Sequence, residues 1–214
     1  MFATSNAKRA FWRATLIVTT IGLYSIFLLD QRQKLESTAP WASSGWEKWA
    51  DDELALATAL YWEAAPRESV EGLRAIAWVI KNRVSSREFP DSIREVVIQG
   101  YKGQKNGGCQ FSFVCNGAGE SPREFVRLMR KMGVRMTVVE AEARWQKYSR
   151  LAADFIKNPG CDPTGGANHY WAVTMRDPYW KADLDPASIK KIGSHWFGWS
   201  RYLGNDVPRA PPCT

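Results

Sequence analysis

The chain has 214 residues, enough for one domain of ordinary size with extra segments, and 45% hydrophobic against 24% charged residues is a globular composition. The formal net charge of +7 is unevenly placed: residues 1–35 carry +4 and residues 36–214 only +3, which argues against a nucleic-acid-binding surface. Only two histidines, His169 and His195, and no Cys-x-x-Cys spacing argue against a zinc site.

The first segment to read is Ala14 to Leu29, sixteen residues without a charge. As a helix it rises about 24 Å at 1.5 Å per residue, short of a hydrocarbon core of about 30 Å, and Phe11 and Trp12 extend it at the inner interface. Residues 14–30 are read as a transmembrane signal anchor, with residues 1–13 cytoplasmic because Lys8, Arg9 and Arg13 outweigh Arg32 and Lys34. The alternatives are a cleaved signal and a buried helix of a soluble protein. Against cleavage, Ser37-Thr38-Ala39 runs directly into Pro40. Residues 31–50 are polar, carry Trp41, Trp46 and Trp49, and suit a linker leaving the membrane. The expected location is therefore the inner membrane, single-pass, with residues 36–214 in the periplasm or exterior. In an oxidising compartment the four cysteines become disulfide candidates. Cys109–Cys115 would close a small ring around Gln110 and Ser112, and Cys161–Cys213 is the remaining pair.

The folded domain is placed at 51–207, followed by an irregular tail at 208–214. Asp51, Asp52 and Glu53 suit the positive end of a helix running from Leu54 to Ala65, where Pro66 stops it. Ser69 caps a second helix, on which Leu73, Ile76, Ala77, Ile80 and Val84 recur on one face. Pro90-Asp91 opens a short helix through Ile98. Residues 100–119 read as loop, being rich in Gly, Lys and Asn. Two further helices cover Ser121 to Met132 and Met136 to Asn158. From Pro159 the pattern turns to short aromatic stretches at 168–173 and 192–199, compatible with strands. The fold class is mainly α, with a few short strands.

Glu63 is the sharpest chemical signal. One helical turn back lie Ala59 and Leu60, and two turns back Leu56, so the carboxyl emerges from an apolar face. It also sits in the last turn, where the helix dipole disfavours the charged form. Both effects raise its pKa, as a general acid near neutral pH requires. The plainer reading is a carboxylate paired with Arg67 or Arg83. A Ser-His-Asp hydrolase finds no Gly-x-Ser-x-Gly elbow. A cysteine nucleophile with His169 or His195 is a further alternative, but Cys109 lies in a loop rather than at a helix start and can pair oxidatively with Cys115.

Five blocks stand in order along residues 54–199: ALYWEAAPRESVEG, AWVIKNRV with FPDSIREVV, CQFSFVCNG, NHYWAV and IGSHWF. Together they resemble the cell wall hydrolase family that includes the spore-cortex lytic enzymes. The resemblance implies a lysozyme-like, mostly helical fold and lytic transglycosylase activity on peptidoglycan glycan strands, with no metal or organic cofactor. It places Glu63 on the family's catalytic acid. The family's first block reads Glu-Ala-Arg-Gly-Glu, whereas this chain has the longer Glu63-Ala64-Ala65-Pro66-Arg67-Glu68, which leaves the role of Glu68 open. Asn116 stands where Asp is common.

Gln110, Ser112, His169 and Tyr170 are the candidate substrate-binding residues, each with a plainer reading in loop or aromatic packing. His195 is read as structural. Trp171, Trp180, Trp196 and Trp199 divide between sugar stacking and core packing. Arg123, Arg127, Arg130, Lys131 and Arg135 read as a solvated helix face, with attraction to anionic wall or lipid as the alternative. The functional expectation is a membrane-tethered glycan-strand lyase with Glu63 as its single acid. Its rivals are a silent peptidoglycan-binding module, a cysteine-dependent wall peptidase, and a phage endolysin using the same chemistry.

Overall fold

The computed structural model describes residues 51–64, 68–100, 108–115, 122–131, 133–200 and Cys213. The expected anchor at 14–30 and the linker at 31–50 lie outside the described residues. Among the described residues no helix is long and apolar enough to cross a membrane. The architecture is mainly helical, with one small sheet.

Helix α1 (Asp52–Glu63) starts where Asp51 accepts a hydrogen bond from the Leu54 amide at 2.7 Å. That bond satisfies one of the four orphan N–H groups of a helix start. From Ala55 to Tyr61 every residue is buried, so α1 is the central helix rather than one with a single apolar stripe. It ends at Ala64, whose backbone is extended, just before the expected stop. Its C-terminal carbonyls are met from α6 (Val138–Lys157), where Arg144 Nη2 donates to Tyr61 O at 3.0 Å and Ala64 O at 2.6 Å. A cation thus sits at the negative end of α1, on the carbonyls left without helical partners.

Helix α2 (Val70–Val84) is capped by Ser69, which accepts from Gly72 N at 3.0 Å. Of the predicted face, Leu73, Ile76, Ala77 and Ile80 are buried and Val84 is half-buried, but Ala75, Trp78, Val79, Asn82 and Arg83 are buried too. The one-face reading is corrected by tertiary context: α1, the short helix at Ile93–Ile98, α6 and the sheet all pack against α2. Helix α3 (Ile93–Ile98) is capped by Ser92 rather than opened by Pro90-Asp91. The segment read as loop contains one helical turn, α4 (Ser112–Cys115). Helix α5 (Pro122–Lys131) packs on α6, which begins with a capping box between Thr137 and Glu140.

Three short antiparallel strands, β1 (His169–Ala172), β2 (Lys190–Ile192) and β3 (His195–Gly198), form a sheet in the order β1-β3-β2. Strand β2 was not separable in sequence, since two of its three residues are exposed lysines. Single 3-10 turns at Tyr179–Asp183 and Pro186–Ser188 link β1 to β2. Asn82 ties the sheet to the helices by donating to Asp162 Oδ2 and Ala167 O, both at 3.0 Å. Asp162 itself accepts from Thr164 and Gly166, which folds the loop that leads into β1. Both expected disulfides are present, Cys109–Cys115 and Cys161–Cys213. With all four cysteines bonded, the cysteine-nucleophile reading has no thiol to use.

Candidate active site

Glu63, the last residue of α1, faces a cavity of about 540 Å³, within the usual range for small-ligand sites. Arg83 from α2 and Tyr170 from β1 line it beside the acid. His169 adds a further wall, Gly108, Cys109 and Gln110 supply the loop side, and Tyr179 and Trp180 stand at the remaining edge. The Cys109–Cys115 bond and a hydrogen bond from Gln110 N to Gln99 O (3.1 Å) hold the loop side in place.

Burial raises the pKa of Glu63 above the ordinary carboxyl value. Two weaker effects oppose it, the hydrogen bond from Tyr170 Oη to Glu63 Oε2 at 3.2 Å and the positive charge of Arg83. The predicted direction stands, with desolvation as its leading cause. Arg144 at the end of α1 works against the helix-dipole contribution that the sequence implied. The acid therefore stays protonated further up the pH scale, yet its anion has a donor waiting.

Tyr170 is half-buried, and desolvation of its phenol together with the neighbouring Glu63 keeps it protonated, so it acts as a donor. Its ring stacks on Phe197 at 6.0 Å and meets the edge of His195 at 5.5 Å. His169 is pushed down to about 4, by burial first and then by Arg83, so its ring is neutral near pH 7. Its Nδ1 lies 2.7 Å from Asn168 Oδ1, which also accepts from Ser200 N at 3.0 Å. An oxygen that accepts from a backbone amide takes a proton from Nδ1 too, which leaves Nε2 as the acceptor.

Glu63 is the only carboxylate lining the cavity among the described residues. Glu68 is buried elsewhere: Oε1 accepts from Ser69 N at 3.0 Å and Ser194 N at 3.2 Å, and Oε2 lies 3.1 Å from His195 Nδ1. This clamp joins the start of α2 to the β2–β3 turn and accounts for both Glu68 and His195. Among the described residues no three His, Cys, Asp or Glu side chains converge as a metal centre.

Of the candidate binding residues, Gln110, His169 and Tyr170 meet around Glu63, while Ser112 is exposed at the start of α4 and does not line the cavity. Trp180 lines the cavity and packs on His169 with ring centroids 5.0 Å apart. Trp171 is buried, stacked against Trp196. Arg127, Arg130, Lys131 and Arg135 are exposed. The sequence reading treated Arg83 only as an ion-pair partner and missed Tyr179. An arginine in the last turn of an otherwise buried helix was the available signal for the first. Nothing in the sequence marked the second.

The cell wall hydrolase family model matches residues 67–198, more than half of the chain. The chain belongs to the cell wall hydrolase family. The match begins just after Glu63 and includes Glu68 and all the cavity residues named above except Glu63 itself. This cell wall hydrolase is also similar to the catalytic domain of the germination-specific lytic transglycosylase SleB from Bacillus anthracis. That similarity has 25% identity over 69% of this chain and 93% of that chain, with a TM-score of 0.44. For the catalytic domain of the Bacillus cereus SleB protein the values are 24%, 69%, 88% and 0.40. No curated protein is a match for the chain. The hydrolase is an enzyme that cuts peptidoglycan.

Proposed function

We propose that this cell wall hydrolase is a lytic transglycosylase that cleaves the bond between N-acetylmuramic acid and N-acetylglucosamine, with Glu63 as its single catalytic acid. The observation that carries this reading is that Glu63 is the one carboxyl lining the cavity among the described residues, its pKa raised by burial. Inverting and retaining glycosidases ordinarily flank the bond with two carboxyl groups. A one-acid route needs only Glu63. Its proton passes to the departing glycosidic oxygen as the bond to C1 breaks. The muramic acid 6-hydroxyl then bonds to C1 and returns its proton to Glu63, closing a 1,6-anhydro ring. Atoms balance without water, and the intramolecular nucleophile gains from proximity. Tyr170 steadies the transient Glu63 carboxylate, and Arg83 adds positive charge beside it. Gln110 and the Nε2 of His169 offer polar contacts to sugar hydroxyl or acetamido groups. The proposed arrangement is lysozyme-like, with the acid at a helix end facing a groove.

The same proposal includes the tether: residues 14–30 hold the domain at the inner membrane, with residues 36–214 outside. Protease added to osmotically opened cells with an intact inner membrane should digest residues 36–214, and protection would reverse the orientation. Mass spectrometry of peptidoglycan digested by the enzyme tests the chemistry. Anhydro-muropeptides are expected. Products ending in reducing N-acetylmuramic acid would replace the lyase by a hydrolase.

A further inference from the structure

Arg83 carries a charge that has no ion-pair partner among the described residues. The residue is 6% exposed, yet it lines the cavity beside Glu63. Nε donates to Asn168 O at 2.8 Å, and the guanidinium lies 5.4 Å from the Phe89 ring centroid and 5.7 Å from that of Phe111. These contacts fix its position and give it partial compensation through the ring faces. Nη1 is buried without a protein hydrogen-bond partner. No carboxylate forms an ion pair with Arg83 among the described residues.

Buried guanidinium groups are ordinarily paired, because the cost of removing charge from water is otherwise unmet. The neighbours do not supply the pairing when the enzyme is ready to act. Glu63 must then hold its proton and is neutral. His169 and Tyr170 are neutral as well. Glu68 has its carboxylate committed to His195 and Ser194, away from the cavity. Among the described residues, the acid-competent cavity therefore carries one positive charge, fixed in place and only partly used as a donor.

We propose that Arg83 is a specificity-determining residue that receives a substrate carboxylate, and that the preferred glycan is a peptide-free strand whose muramic acid bears a free lactyl carboxylate. The inference rests on the glycan-cleaving reading above. A lactyl carboxylate hangs on the same sugar whose C1 bond Glu63 must reach, whereas stem-peptide carboxylates are at least one amino acid further out. In a peptide-bearing strand that lactyl group is a neutral amide, which offers an acceptor but no charge. Hydrogen bonds to charged groups are the stronger class.

The experiment uses the full chain in detergent with Glu63→Gln, whose amide resembles the protonated acid and prevents turnover. Binding is measured for four probes: peptide-free strands, the same strands methyl-esterified at the lactyl group, peptide-bearing strands, and N-acetylglucosamine oligosaccharides. The free acid should bind about tenfold more tightly than its methyl ester. The esterified and peptide-bearing strands should be alike. Adding Arg83→Met should erase the difference, and Arg83→Lys should keep part of it. Equal affinity for acid and ester in the protein that retains Arg83 overturns the proposal, even if Arg83→Met fails to fold. Tighter binding of peptide-bearing strands would move the carboxylate to the stem peptide and overturn the lactyl assignment. Failure to bind any of the four would sink the glycan reading itself. Anhydro products together with equal acid and ester binding would sink only the role given to Arg83.

Discussion

Glu63 and Glu68 stand on opposite sides of the connection between α1 and α2, and their carboxyl groups meet opposite surroundings. Glu63 faces a cavity with one phenol as its hydrogen-bond donor and a buried guanidinium nearby. Glu68 is enclosed, with two backbone amides and the His195 ring aimed at it. Two glycines make room for it: a β-carbon at Gly72 or Gly193 would collide with its carboxyl group. Gly193 has φ +55°, a conformation that further favours glycine. A carboxylate with several fixed donors serves as a clamp. One with a single donor and open space keeps its proton available for chemistry.

The strongest way to break this contrast is to neutralise each acid in turn. Glu63→Gln should lower turnover by at least about 10²-fold, the lower end for losing a general acid. Its melting temperature should not fall, because the amide carries no charge to desolvate. An undiminished rate would remove Glu63 from the mechanism. Glu68→Ala should do the reverse, costing about 3 kcal/mol of stability by leaving His195 and two amides without their acceptor. In denaturant titration the midpoint should drop, while the folded fraction retains the wild-type pH profile. A large rate loss in fully folded Glu68→Ala protein would give Glu68 a part in the chemistry.

The next effect is confined to the Glu63 side. Replacing Cys109 and Cys115 together by Ser should cost about 2 kcal/mol on the chain-entropy estimate for a short loop. It should also raise KM more than it lowers kcat, since Cys109 and Gln110 line the cavity. An unchanged denaturation midpoint and KM would mean that the disulfide does not hold this wall.

The smallest effect sharpens the comparison through pH. Because Glu63 must be protonated to act, activity should fall as pH rises through its raised pKa. Stability has the same sign: a carboxyl whose folded pKa exceeds its unfolded value contributes fully below the unfolded value. That contribution is lost as pH rises through the folded one. Tyr170→Phe removes a hydrogen bond that lowers the Glu63 pKa, so the alkaline inflection should move upward, with a rate loss below about tenfold. A downward move in the pH–rate profile would mean that Tyr170 does not serve the Glu63 anion.

Much of the local structure was legible because it depends on near neighbours. Ser69 announced its helix by cap chemistry, and the proline at position 66 marked the end of α1 to within a residue or two. Strand β2 and the single turn α4 were not legible, being too short to show a period. Glu63 could be singled out because its apolar neighbours lie one and two turns away on its own helix. Glu68 could not be assigned, because its partners at Ser194 and His195 arrive from more than a hundred residues later.

The sequence by itself determined the helix-rich class, the candidate acid and the direction of its pKa shift, and it offered the cysteine pairing only as an expectation. These follow from spacing, composition and caps, all properties of adjacent residues. Only the tertiary structure decided which of two nearby glutamates faces open space, and which arginine enters the cavity without an ion pair among the described residues. Burial and hydrogen-bond counts depend on what distant segments bring to a side chain. Here the sheet at the end of the chain satisfies Glu68, delivers Tyr170 to Glu63, and holds Arg83 Nε through Asn168 O while Nη1 has no partner among the described residues.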